Sequence, residues 1–322
     1  MQGDTLEGAG LATLGVVSAA VLGVLAARVV PGGPLLKRQR PRRFHLPFRS
    51  NTLSARAAQR LNHSSALLAL SVFADSSIEH YRGLFNNKAM VLPLMASAAT
   101  LASSLHGAHD ETATGHRLRH AIAAVAGTIG LIGGGFHLYN VTKRPGGFSW
   151  NNLFYGAPLG APYALILAGV MGTAAEHIRD STEGRLRLFG LPAGPTLAAL
   201  TSCGLAGTVA EAALLHFRGA FHDPFMFVPV SVPPIAAGLV AKAGAERRPF
   251  WGRLTRAWLW LTALVGFAGS AFHIYGVSRN MGGWRNWSQN VLNGPPIPAP
   301  PSFTGLALAG LAALDLLEER NG

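Results

Sequence analysis

The chain has 322 residues, 49% hydrophobic and only 13% charged, with 27 Lys and Arg against 15 Asp and Glu for a net charge of +12. So little charge cannot cover a soluble globule of this length, and so much apolar content excludes a disordered chain. The single cysteine, Cys203, excludes a disulfide framework and any site built from several thiolates, leaving a polytopic membrane protein.

A membrane-spanning helix needs about 20 largely apolar residues, and the first such run covers 9–30. Asp4 and Glu7 stand where a signal peptide would be basic, and a basic run follows where a cleavage site would lie, so this is expected to be a retained helix. From Lys37 to Arg60 there are eight basic residues and no acidic one, which assigns that segment to the cytoplasm. Further spans are predicted near 62–81, 89–106, 121–141, 161–177, 196–217, 225–242, 257–277 and 302–317, about nine in all. The span at 62–81 is rather polar and the one at 161–177 is short. With the basic run inside, the inner segments collect 20 of the 27 Lys and Arg. This asymmetry accounts for the positive charge without nucleic acid, and it places the N-terminus outside and the C-terminus in the cytoplasm, as expected in a bacterial inner membrane.

The chain also repeats itself. His80-Tyr81-Arg82-Gly83-Leu84-Phe85 returns 136 residues later as His216-Phe217-Arg218-Gly219-Ala220-Phe221. Phe136-His137-Leu138-Tyr139 returns as Phe272-His273-Ile274-Tyr275 at the same offset, and Gly156-Ala157-Pro158 matches Gly294-Pro295-Pro296 at an offset of 138. The expected architecture is therefore all-α. A leading helix with its basic segment (1–61) precedes two tandem four-helix repeats (62–195 and 196–322). An even number of helices per repeat keeps both copies in one orientation, related by a pseudo-two-fold axis along the membrane normal.

Both halves keep two histidines, His80 and His137 in the first, His216 and His273 in the second, all near the outer ends of their helices. Ionisable groups at membrane depth are costly and mark function by default. Small residues lie one turn below each: Gly133 and Gly134, Gly269 and Ser270, Ser76 and Ser77, Ala212 and Ala213. Such a face offers a flat wall for haem b, with the four histidines as axial iron ligands and Arg82 and Arg218 pairing with propionates. Tyr139 and Tyr275 join this cofactor-binding set. The same residues also fit a haem-free quinone or proton site, or close helix packing with interhelical hydrogen bonds. Asp75 and Glu211, each five residues before its histidine, are expected to move protons or to be neutral and hydrogen-bonded. The outer loops 143–160 and 279–301, with Trp150, Trp284 and Trp287, suit a lid, a docking surface or interfacial anchoring. His106, His109, His116 and His120, with Asp110 and Glu111, have ligand types that could hold a metal, but the second half does not repeat them, and a solvated inner loop is expected.

The paired four-helix units resemble the quinone-interacting membrane subunits of the polysulfide-reductase type, in which two four-helix bundles dock to an iron–sulfur protein and a molybdenum subunit. The resemblance covers most of the chain, lies in architecture, and carries no individual residue over. Those subunits generally lack haem, so it implies that the repeated histidines either depart from the pattern or serve quinone. The expected function is an electron-transfer subunit of a respiratory oxidoreductase, itself non-catalytic or quinone-reacting, that links soluble redox subunits to the quinone pool. The rival expectations are a transporter built from two parallel repeats and an assembly or anchoring protein.

Overall fold

The computed structural model describes residues 53–110, 115–156, 158–180 and 186–319. The predicted leading helix at 9–30 and most of the basic run lie outside the described residues.

Each of the eight remaining predicted spans is a helix. Helix α1 runs Leu53–Arg82, α2 Leu92–His109, α3 His116–Thr142, a short α4 Trp150–Tyr155, and α5 Gly160–Asp180. A two-residue antiparallel hairpin, β1 (Arg187–Leu188) with β2 (Leu191–Pro192), leads into α6, Ala193–Arg218. Next come α7 Val228–Glu246, α8 Gly252–Arg279, a short α9 Trp287–Asn293, and α10 Pro301–Glu319. Among the described residues α1 is already helical from Leu53, ahead of the predicted span at 62–81, and includes Arg56 and Arg60.

Six helices are long and apolar enough to cross a membrane: α2 and α7 with their leading 3-10 turns, α3, α6, α8 and α10. Helices α1 and α5, the two weaker predictions, are not among them. The reason is position. Helix α1 is flanked by α2, α5 and α10, and α5 packs against α1 and α3. A helix surrounded by protein needs no lipid-compatible face, so α1 carries Asn62, Ser64, Ser65 and Ser71 as buried residues. Helix α10 holds the same central position while staying apolar, with 78% of its apolar window buried against 22% for α2 and α7. Its partners are α1, α6 and α8.

The helices pack in two closed fours, α1–α2–α3–α5 and α6–α7–α8–α10, joined mainly along α1 and α10. Small residues permit the close approach. A Cβ on Gly169 of α5 would lie 2.5 Å from Gly127 N on α3, and one on Gly305 of α10 would lie 3.1 Å from Ser64 O on α1. Buried hydroxyls bond across helices as well: Ser65 Oγ donates to Ala168 O at 2.8 Å and Thr304 Oγ1 to Ala263 O at 2.7 Å.

Arginine–carboxylate networks hold the end of the bundle opposite the histidines. Asp315 of α10 receives Arg60 of α1 at 2.5 Å and Arg256 of α8 at 3.0 Å. Arg119 of α3 reaches Asp110 at 2.7 Å and Glu176 of α5 at 2.9 Å, and Arg179 donates to the carbonyls of Gly107 and Asp110. Arg119 and Glu176 are buried. The expectation of a solvated loop around His106–His120 is corrected at Asp110 and Arg119, which form a buried ion pair, with His106 Nδ1 3.1 Å from Arg119. Glu111 lies outside the described residues.

Candidate functional site

The motif His-x-Arg-Gly-x-Phe builds the same chain reversal twice. After α1, Leu84 and Phe85 take positive φ of 53° and 45°; after α6, Ala220 and Phe221 take 56° and 44°. Residues with side chains are sterically strained in this region and hold it only where the surroundings over-determine it. Here the Phe85 N–H donates to His80 O and the Phe221 N–H to His216 O, each at 3.0 Å, closing the helix end. The imidazole completes the reversal. His80 Nδ1 donates to Met90 O and His216 Nδ1 to Met226 O, both at 2.7 Å. The Phe85 and Phe221 rings stand edge-on to these imidazoles, with centroids 6.2 and 6.0 Å away. Gly83 and Gly219 leave room for the methionines, whose Cε atoms would lie 3.2 and 3.0 Å from an added Cβ.

The other two histidines join the ends of α3 and α8 to the segments entering α5 and α10. His137 Nδ1 donates to Pro158 O at 2.5 Å and His273 Nδ1 to Pro296 O at 2.7 Å. A carbonyl oxygen only accepts, so all four rings carry their proton on Nδ1, and a neutral ring then presents a lone pair at Nε2. None of the four Nε2 atoms has a protein hydrogen-bond partner among the described residues. His80 lies within electrostatic range of His137, and His216 of His273. Each four-helix set thus has an imidazole pair at one end.

The glycines below His137 and His273 pack against protein. A Cβ on Gly130 would lie 2.7 Å from Ile166 N and 2.8 Å from Pro162 O of α5, and Gly133 and Gly134 face Pro162. In the second set, Gly266 is pressed by Pro300 and Thr304, at the start of α10, and Gly269 by Pro300. Close helix packing against α5 and the start of α10 accounts for these glycines.

The two carboxylates meet at the seam between the sets. Asp75 of α1 is within electrostatic range of Glu211 of α6. Glu211 Oε1 accepts the Gly160 N–H, the first amide of α5, at 3.1 Å. No Cβ fits at Gly160, because the Glu211 carboxylate occupies its place. A carboxylate at a helix N-terminus is favoured by the orphan amides and the helix dipole. Asp75 makes no hydrogen bond or ion pair among the described residues.

The remaining expected site residues are not brought to the imidazoles. Arg82 pairs with Glu79 at 2.7 Å on the surface. Arg218 lies over the rings of Phe154 and Tyr155 of α4, at 5.6 and 5.5 Å. Tyr139 and Tyr275 are exposed, the first beneath Lys143 and the second accepting a hydrogen bond from Arg279 at 3.0 Å. The loop carrying α4 therefore reaches from the first set onto the end of α6.

Sequence reasoning missed one matched pair, Asn152 and Asn290. Asn152 Nδ2 donates to Pro145 O and Gly147 O, and Asn290 Nδ2 to Met281 O and Gly283 O, so each staples its own loop from a buried position. Their 138-residue spacing is the signal that could have found them. Among the described residues, no group of three or more His, Cys, Asp or Glu could hold a metal ion.

The chain matches no family model, no curated protein and no solved structure. The fold defines its class: an all-α membrane protein, with polar groups gathered at the ends of its helices and at the seam between two helix sets.

Proposed function

We propose that this protein is a membrane-embedded redox subunit that binds a quinone at its paired imidazoles and exchanges electrons with a soluble partner bearing an iron–sulfur or molybdenum centre. The observation that carries this reading is the shared state of the four histidines: Nδ1 is committed to a backbone carbonyl and Nε2 is left to a ligand. A fixed tautomer with an open Nε2 suits hydrogen bonding to a quinol hydroxyl. On oxidation the quinol gives two electrons to the partner and two protons to the protein, first at Nε2. Asp75 and Glu211 then carry protons along the seam.

The proposal includes the finer architecture. A leading helix and two parallel copies of one four-helix unit make nine spans, with the N-terminus outside and the histidines at the outer face of a bacterial inner membrane. The matched reversals, matched asparagines and matched helix pairings support the two-copy reading. An imidazole held at Nδ1 by a carbonyl and open at Nε2 is also poised as a haem ligand would be, so one preparation tests both cofactors. Purified protein should bind a short-chain quinone, lose that binding on His137→Ala, and give a flat dithionite-reduced minus oxidised spectrum. A b-type α band lost with His137 would replace quinone by haem. Binding of neither would overturn the redox reading and favour the transporter.

A further inference from the structure

The two halves differ where a planar ring would rest, and the assignment made from that difference depends on the quinone reading. Asn87 Oδ1 accepts the Ala89 N–H and Asp223 Oδ1 accepts the Phe225 N–H, each at 2.9 Å, so Ala89 and Phe225 hold one position in one capped turn. In the second half Phe225 stacks on Phe272 with centroids 4.6 Å apart and planes 29° apart. Two residues on, Phe227 stacks on Phe221 at 4.6 Å and 19°. In the first half these positions hold Ala89 and Val91, which supply no ring. Phe136, which matches Phe272, is exposed and has no ring partner among the described residues.

We propose that the quinone ring binds in the first half only, on Phe136, in the position that Phe225 fills in the second. The chain's own phenylalanine shows what this position accepts: a flat aromatic ring, offset-stacked, at the exposed rim where a lipid-soluble molecule arrives. The position is tied to both histidines through the chain. Phe136 precedes His137, and Ala89 precedes Met90, whose carbonyl holds His80.

The carboxylates separate the halves in the same direction. Glu211 is engaged by the Gly160 N–H. The residue matching Gly160 is Pro298, which has no N–H to give, and Asp75 is unengaged among the described residues. The vacant ring position and the available carboxyl therefore fall in one half. The second half keeps the same backbone with its ring position plugged.

The test uses the full chain in detergent and equilibrium dialysis against decylubiquinone and a short-chain menaquinone. Wild-type protein should bind one quinone per chain. Ala89→Phe should weaken binding at least tenfold, and Phe136→Ala should do the same by removing the platform. Phe225→Ala and Phe272→Ala should leave the wild-type site intact. Ala89 is exposed and the second half carries Phe at this position, so Ala89→Phe should fold, with elution volume and Tm as controls. If wild type binds but Phe225→Ala or Phe272→Ala abolishes binding, or neither first-half variant weakens it, the assignment to the first half falls and the quinone reading stands. If wild type binds neither quinone, both fall.

Discussion

Each of the four histidines gives its Nδ1 proton to a carbonyl of the segment beyond its helix, and this separates two roles within one ring. Asparagine places an amide N–H close to where Nδ1 sits and has nothing at Nε2. His80→Asn and His137→Asn should therefore keep Tm near wild type while abolishing quinone binding. The alanine variants should lose both, with about 1–2 kcal/mol of stability going with the hydrogen bond. Binding that survives in the asparagine variants would make Nε2 irrelevant. Gly160 is a second such position, because the Glu211 carboxylate sits where its Cβ would be. Gly160→Ala should destabilise by about 1–3 kcal/mol through overpacking, and adding Glu211→Ala should recover part of the loss in the same thermal melt. The histidines and carboxylates were legible because both halves keep them. At the glycines the sequence left close packing beside the cofactor readings, because helical spacing shows which residues share a face, not which neighbour covers it. Asn152 and Asn290 were passed over because an asparagine in a Gly- and Pro-rich loop looks like ordinary turn chemistry.

Helices α1 and α5 show how an element's surroundings change what its sequence must be. A hydropathy argument assumes lipid on all sides; these two helices have protein neighbours, so α1 holds buried serines and an asparagine and α5 holds the buried Glu176. The same burial raises the stakes for charge. Arg119 is buried between Asp110 and Glu176, linking α3 to α5, whereas Arg82 pairs with Glu79 on the surface. Removing one partner of a buried pair leaves an uncompensated charge, while an exposed pair is worth little. Arg119→Ala should cost about 3–5 kcal/mol and Arg82→Ala under about 1 kcal/mol, read as denaturation midpoints in detergent. Equal effects would mean that the Arg119 network does not hold its helices together. The polar residues between α2 and α3 predict a solvated loop over His106–His120. The helix starting at His116 instead carries Arg119 inward, one turn from its end.

For the assembled protein, orientation decides which side of the membrane the histidines face. In a Cys203→Ser background, a cysteine at Phe148 should react with a membrane-impermeant maleimide in intact cells, and one at Arg248 only after permeabilisation. The reverse pattern would place the histidines on the cytoplasmic side and invert the proposed path. Composition and hydropathy were enough to find the membrane class and every long helix among the described residues, because about 20 apolar residues in a row have few other uses. Comparing the two halves was enough to single out the histidines. Tertiary structure alone revealed which helices are central, what covers each small-residue face, and that Arg60 closes on Asp315 from 255 residues away. It also shows two halves with the same backbone turns but differently filled ring positions. Periodicity says that a face is buried; only the packed neighbours say against what.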